Sequence, residues 1–182
     1  MARKERISQG RTMKPNFFVF CEGDSEVAYV ETVRQHYRLP IHIIAKKTLL
    51  NITSSLVERC KSEYIETPRD RTYLMYDLDV PSMLDRLQKV PDATLLCSNP
   101  CLELWLLLHY SEQRTELSSQ QCVKKIGSHI KNYKKGIISL TDKLFLMNNV
   151  SKAVERAKKL NAYDNPSSSI FLLIEDLENF SY

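Results

Sequence analysis

Glycine is scarce in this chain, with four glycines in 182 residues. Loops that cradle nucleotide phosphates need several closely spaced glycines, because only a backbone without side chains approaches the phosphates so closely. Neither a P-loop nor a Gly-rich dinucleotide-binding loop is present, and the zinc-protease motif HExxH is also missing. Ser25 has no evident His and Asp partners, which leaves a hydrolase triad unsupported. These absences argue against nucleotide-binding, zinc-protease and serine-hydrolase classes.

Long apolar segments are missing as well. The run Leu104–Leu108 is far shorter than the roughly 20 residues that a membrane-spanning helix needs. No apolar stretch follows the basic N-terminal residues before Asn16, so no signal peptide is predicted. The cysteines number five, an odd count, which favours a reducing, cytoplasmic location. Cys97, Cys101 and His109 do not complete a four-ligand zinc set, so we interpret the cysteines as buried thiols.

Two unbroken apolar runs, each ending at carboxylates, are the most informative feature of the chain. Phe17–Cys21 leads into Glu22. Tyr73–Tyr76 leads into Asp77 and Asp79. Continuous runs are typical of strands buried on both faces, as in a parallel sheet covered by helices. Because ligands bind outside the carboxyl ends of such strands, the three carboxylates are expected at a ligand-binding edge.

The predicted element order is β-α-β-α-β-β-α followed by further helices, which defines an α/β fold with a mostly parallel sheet flanked by helices and a helical C-terminal portion. Strands are predicted at about 16–21, 41–45, 72–76 and 93–97. Helices are predicted at about 24–38, 49–64, 101–110, 120–133, 149–160 and 171–177. A single domain would span residues 16–182, after a basic tail over residues 1–15.

Asp77 and Asp79 are two residues apart, so on an extended strand end their side chains project to the same side. Adjacent like charges raise each other's proton affinity unless a cation lies between them. Carboxylate oxygens suit Mg²⁺ or Mn²⁺, and Glu22 could be a further ligand or a general acid/base. The alternative is an Asp pair in an ordinary turn before Pro81.

Glu103 lies in a predicted helix that is apolar nearly all round, where an unpartnered buried carboxylate is costly. It is therefore a second catalytic candidate beside Glu22, although a position in the first helical turn could also accommodate its charge. Asn99 is predicted to cap this helix, with Pro100 in its first turn. His109 is interpreted as a core or rim histidine.

Basic residues are clustered, although the net charge is only +4. Such clusters can bind a polyanion backbone, and an aromatic side chain among them can stack on a base. The alternative is a solvated helical face. The candidates for nucleic-acid binding are Lys124, Lys125, Lys131, Tyr133, Lys134 and Lys135.

Glu22-Gly23 and Asp77-Leu78-Asp79 resemble the pattern of a TOPRIM domain, the Rossmann-like metal-binding fold of topoisomerases, primases and OLD-type nucleases. Further segments narrow the resemblance to the RloB-like family, small TOPRIM-related proteins associated with restriction-modification and abortive-infection loci. Those segments are Cys21–Glu26, Ser98–His109 and Asn165–Ser167.

The resemblance implies an acid/base role for Glu22 and metal binding by Asp77 and Asp79, with Glu103 and the Asn99 turn near the same edge. We therefore expect a nuclease that depends on Mg²⁺ or Mn²⁺, cuts DNA or RNA and serves antiviral defence. A partner ATPase or other defence-system protein is expected, and no membrane. The alternative is a non-catalytic nucleic-acid-binding or regulatory subunit on the same scaffold. Nucleotidyl transfer ranks third, because no nucleotide site is evident.

Overall fold

The computed structural model describes residues 13–39, 42–48 and 52–180, so most of the predicted basic tail lies outside the described residues. Its strands are β1 (Asn16–Cys21), β2 (His42–Lys47), β3 (Arg71–Asp77), β4 (Ala93–Asn99) and β5 (Ser167–Ser168). Its helices are α1 (Asp24–Tyr37), α2 (Ser54–Lys61), α3 (Met83–Leu87), α4 (Leu102–Leu108), α5 (Ser119–His129), α6 (Leu140–Asn148), α7 (Val150–Ala157) and α8 (Phe171–Glu178).

The strands form one sheet in the order β2-β1-β3-β4-β5. The first four are mutually parallel, and β5 pairs with β4 in the antiparallel sense, with Ser167 opposite Asn99. The predicted α/β fold with a mostly parallel sheet is confirmed. Because β1 and β3 are parallel neighbours, Glu22 and Asp77 leave the sheet at the same edge.

Both faces of the sheet are covered, which explains why the strands have no polar alternation. Phe17 and Val19 on β1 face a thick layer that includes α1, α4, α5, α7 and α8. Phe18 and Phe20 face a thinner layer that includes α2 and α3. Every residue of α4 is buried, as the helix lacks a polar face. No helix in the described part of the chain is long and apolar enough to cross a bilayer.

The structure corrects several predicted boundaries. Strand β4 continues to Asn99, and Cys101 is the N-cap residue of α4, so the predicted cap at Asn99 is wrong. The Asn99 amide instead donates to the Tyr163 carbonyl at 2.8 Å. The predicted helix over 120–133 ends at His129, which places Tyr133 and Lys135 in the following turn. Helices α3 and α6 and strand β5 were not predicted; α3 and β5 are short, and α6 has no clear apolar stripe.

Candidate functional site

Glu22 and Asp77 meet where β1 and β3 end. The Glu22 backbone N–H donates to the Met75 carbonyl at 3.1 Å, which extends the pairing of the two strands by one residue. The Asp77 N–H then donates to Glu22 Oε2, also at 3.1 Å. The structure therefore brings these two predicted site residues together through the backbone of the sheet.

Asp77 also joins the sheet to α4. Its Oδ1 accepts a hydrogen bond of 2.8 Å from the backbone N–H of Leu102, the first residue of that helix. The pKa of Asp77 is well above its ordinary value, first because the carboxyl is desolvated and then because Glu26, Glu22 and Glu103 add negative charge. The Leu102 N–H opposes this increase without cancelling it.

Glu26 is a further acidic residue of the site, and it was not identified from the sequence. The sequence favours an ordinary place at the positive end of α1, and its Oε2 does accept from the Gly23 N–H at 2.8 Å. The side chain is nevertheless buried, and burial raises its pKa against that hydrogen bond, with Glu22 and Glu103 adding to the increase. Glu26 is therefore a capping residue that also contributes negative charge to the site.

Asp79 stands apart from the other acids. It is exposed, although its charge contributes to the raised pKa of Glu22, for which burial is the main cause. Backbone pairing between β3 and β4 continues as far as the Leu78 N–H, which donates to the Ser98 carbonyl at 2.9 Å. Asp79 thus follows the last paired residue and borders the acidic edge from solvent.

Glu103 is 1% exposed and faces the turn that follows α5. Its Oε1 accepts from the Tyr133 hydroxyl at 2.8 Å and lies 3.5 Å from the Lys135 ammonium. Its Oε2 is buried without a hydrogen-bond partner. Glu103 lies in the first turn of α4, and its charge adds to the raised pKa of Asp77. A catalytic role for Glu103 stays a prediction.

A cavity of about 360 Å³ opens at this edge of the sheet. It is lined by Glu22, Gly23, Asp24, Ser25, Glu26, Lys47, Asp77 and Lys135. A larger cavity of about 500 Å³ lies beside α7, where Glu112 pairs with Arg114 and Lys159. We place the candidate site in the smaller cavity, because burial first and neighbouring carboxylates second raise the pKa of its Glu22, Glu26 and Asp77 side chains.

The carboxylates of this cavity suit a divalent ion in their chemistry, although they are not arranged as a ready set of ligands. Within residues 13–39, 42–48 and 52–180, no three acidic, His or Cys side chains form a ready metal-binding group. The donor set is nonetheless one that Mg²⁺ or Mn²⁺ prefers, and a cation would relieve the repulsion at Asp77. The orphaned Glu103 Oε2 points to the same deficit of positive charge.

The predicted nucleic-acid-binding residues differ in their surroundings. Lys124 is exposed on α5, Lys125 donates to Gln113 Oε1 at 3.0 Å, and Lys131 and Lys134 are exposed beyond that helix. Tyr133 packs against the core while its hydroxyl bonds to Glu103, so base stacking by Tyr133 stays a prediction. Lys135 lines the acidic cavity, which no pattern in the sequence indicates.

His109 and most of the cysteines lie in the core of the protein. His109 is 1% exposed, its Nδ1 lies 3.0 Å from the Trp105 carbonyl, and burial lowers its pKa to about 4. It is therefore a neutral core histidine, in agreement with the sequence interpretation. All five cysteines are free, and four of them are buried.

The late segment Asn165–Ser167 lies next to the end of β4. Asn165 makes two hydrogen bonds with the Leu117 backbone, at 3.1 Å to its N–H and 2.8 Å to its carbonyl. The Ser98 and Ser168 hydroxyls lie 2.9 Å apart across the β4–β5 pair. The β4–β5 pairing borders the end of β4 on the side opposite to β3, and Asn165 links this segment to Leu117.

Comparison with protein families identifies the family of this chain. The family model described as RloB-like protein matches residues 17–177, so the chain belongs to the RloB-like family. Comparisons with curated proteins and with solved structures give no match.

Proposed function

We propose that this member of the RloB-like family is a divalent-metal-dependent nuclease that hydrolyses phosphodiester bonds in DNA or RNA. The observation that carries the proposal is the cavity at the carboxyl ends of β1 and β3, where the pKa values of Glu22, Glu26 and Asp77 are all raised. Closely spaced carboxylates destabilise the folded state unless a cation or a proton binds to them. Groups with such perturbed pKa values are commonly found at functional sites.

Asp77 and Glu22 would hold the ion from the floor of the cavity, and Asp79 would complete the set from the solvent side. The ion, when bound, would supply positive charge to a non-bridging phosphate oxygen. Glu22 is suited to move a proton, because its raised pKa lies closer to neutrality than that of an exposed glutamate. Glu103 is too buried to reach a polymeric substrate directly, so we place it as a positioning residue behind Asp77.

The resemblance to restriction-linked and abortive-infection proteins supports a role in antiviral defence. A toxic nuclease needs restraint, and a partner ATPase or other defence protein would be one source of it. The exposed lysines around Lys124 and Lys131 would hold the nucleic-acid backbone while the reacting phosphate enters the acidic cavity.

The test is cleavage of labelled single-stranded DNA, double-stranded DNA and tRNA with Mg²⁺, Mn²⁺ or EDTA. We expect products that need the ion and that fall by about a hundredfold or more in Glu22→Gln, because a general acid/base contributes about 10²–10⁴ in rate. Glu58→Gln, an exposed change on α2, is the matched control and should cleave like wild type. Undiminished cleavage by Glu22→Gln would contradict the proposal.

A non-catalytic nucleic-acid-binding subunit is the second candidate. It is favoured by the exposed position of Asp79 and by the lack of a ready metal-binding group in the described residues. It predicts salt-sensitive binding that persists in EDTA, with no cleavage under any divalent ion. Binding and cleavage measured on the same substrates separate the two candidates.

A further inference from the structure

The turn between α5 and α6 is fastened to the start of α1, at the mouth of the acidic cavity. The Gly136 N–H donates to Ser25 Oγ at 2.9 Å. Gly136 has a φ of +78°, and a Cβ at this position would lie 3.0 Å from Asp24 Cβ. The backbone at Gly136 therefore lies so close to the start of α1 that a side chain at this position would crowd Asp24.

Lys135 precedes Gly136 in this turn, and its ammonium lies beside the carboxylates. The ammonium lies 3.5 Å from Glu103 Oε1, and the side chain lines the cavity with Glu22 and Asp77. Burial lowers the pKa of Lys135, but the charges of Glu103 and Asp77 outweigh it and raise the pKa overall. The same positive charge opposes the increase in the pKa of Glu22.

The other lysine of the cavity is engaged elsewhere. Lys47 pairs with Asp24 at 2.7 Å, on the rim. Lys135 thus shares the cavity with Glu22, Glu26 and Asp77 and pairs with Glu103, so four carboxyl groups surround one ammonium. The unpartnered, buried Glu103 Oε2 shows where the balance of charge is incomplete. A second cation is therefore favoured by the charges, while Lys135 already holds part of the space.

We propose that Lys135 is the built-in cation of the acidic cavity, and that its ammonium and a divalent ion compete for the same carboxylates. The inference rests on the metal site of the proposed function and adds a residue that sets its affinity. In the metal-free protein Lys135 keeps the carboxylates partly neutralised. When the ion binds, the ammonium moves towards the mouth of the cavity, since its side chain is 59% exposed and free to swing on its aliphatic stem.

The test measures Mn²⁺ binding to the full chain by isothermal titration calorimetry, without nucleic acid. Lys135→Met should bind Mn²⁺ about tenfold more tightly than wild type, because one competing charge a few ångströms away is removed and solvent screens part of its effect. Lys134→Met is the matched control. Lys134 is exposed and lies outside the cavity lining, so its removal should leave the Mn²⁺ affinity unchanged.

Lys135→Arg is a second variant, which keeps the charge and can be measured even if Lys135→Met fails to fold. It keeps the positive charge and should bind Mn²⁺ within about twofold of wild type if charge competition is the cause. In EDTA, Lys135→Met should also unfold at a lower temperature than Lys134→Met, since the carboxylates lose their counter-charge.

The outcomes distinguish this inference from the nuclease proposal. Equal Mn²⁺ affinity in wild type and Lys135→Met overturns the inference and leaves the nuclease proposal standing. Weaker Mn²⁺ binding in Lys135→Met also overturns it, since the lysine would then assist the ion. No Mn²⁺ binding by any variant, together with no metal-dependent cleavage, overturns the proposed function and the competition with it.

Discussion

At the scale of single residues, Asp77 is both a structural link and a charged group in an unfavourable place. Its Oδ1 anchors the first turn of α4 through Leu102. Its folded pKa is raised by burial first and then by Glu26, Glu22 and Glu103, above the ordinary value of 3.8. The folded protein therefore binds a proton at Asp77 more tightly than the unfolded chain does, and ionisation at neutral pH lowers the free energy of unfolding.

Asp77→Asn should for that reason increase the free energy of unfolding in EDTA at pH 7.5, by about 1–3 kcal/mol. The asparagine oxygen can still accept the Leu102 N–H, while the repulsion with neighbouring carboxylates is lost. Urea denaturation of both proteins measures the difference. A destabilised Asp77→Asn would show that the negative charge is already compensated in the metal-free fold.

The pH dependence of that gain has a defined sign. A carboxyl whose folded pKa is raised contributes stability below its unfolded pKa, and this contribution is lost as pH rises through the folded pKa. The advantage of Asp77→Asn should thus be small near pH 4 and grow towards pH 8. His109, whose pKa is lowered to about 4, changes stability in the opposite sense but equally in both proteins, so its effect cancels in the comparison.

At the scale of elements, the turn between α5 and α6 connects the helical layer to the acidic edge. Tyr133 and Lys135 reach Glu103 on α4, and Gly136 contacts the start of α1. The Lys134 and Ile137 backbones close the turn through a hydrogen bond of 3.1 Å. Its shape depends in part on Gly136, whose φ of +78° is one that a residue with a side chain rarely adopts.

Gly136→Ala should lower the free energy of unfolding by about 1–2 kcal/mol, because a φ of +78° strains any residue with a Cβ and the new atom would crowd Asp24. Gly127→Ala is its opposite control. Gly127 lies within α5, and a Cβ added there would meet nothing within 4 Å, so alanine should stabilise the protein by about 0.5–1 kcal/mol. Urea denaturation of both variants decides; equal effects of the two substitutions would contradict the assigned role of the turn.

At the scale of the whole molecule, the site is assembled from distant parts of one folded unit. Glu22 and Asp77 lie at the ends of two strands, Glu103 lies in one buried helix, and Lys135 lies in one turn. An ion that joins these parts would bind the folded state and not the unfolded chain, in which they are dispersed. Binding there should consequently stabilise the entire fold.

We expect Mn²⁺ at about 100 times its dissociation constant to add about 2.7 kcal/mol to the free energy of unfolding of the wild type. Asp77→Asn, which lacks a proposed ligand, should gain far less at the same Mn²⁺ concentration. Thermal unfolding with Mn²⁺ or EDTA measures both gains. An equal shift in the two proteins would place the ion elsewhere on the chain.

The sequence by itself determined the sheet and the edge at which its acids lie. Phe17–Cys21 and Tyr73–Tyr76 are continuous apolar runs because both faces of β1 and β3 are covered, and that property is visible along the chain. Glu22 and Asp77 follow those runs directly, so their convergence needed only the rule that parallel strands end together. Local patterns were weaker for the short helix α3 and for α6, which carries apolar residues on both its buried and exposed sides.

Only the tertiary structure decided which charges act on the site. Glu26 reads as an ordinary helix-capping acid, and Lys135 as one lysine among several in a basic segment. Their places in the cavity depend on how α1, α4 and the turn after α5 pack together, with contacts such as Ser25 to Gly136 across 111 positions of the chain. Periodicity reports which face of an element is buried, whereas the distance between two charges is set by the packing of the elements that carry them.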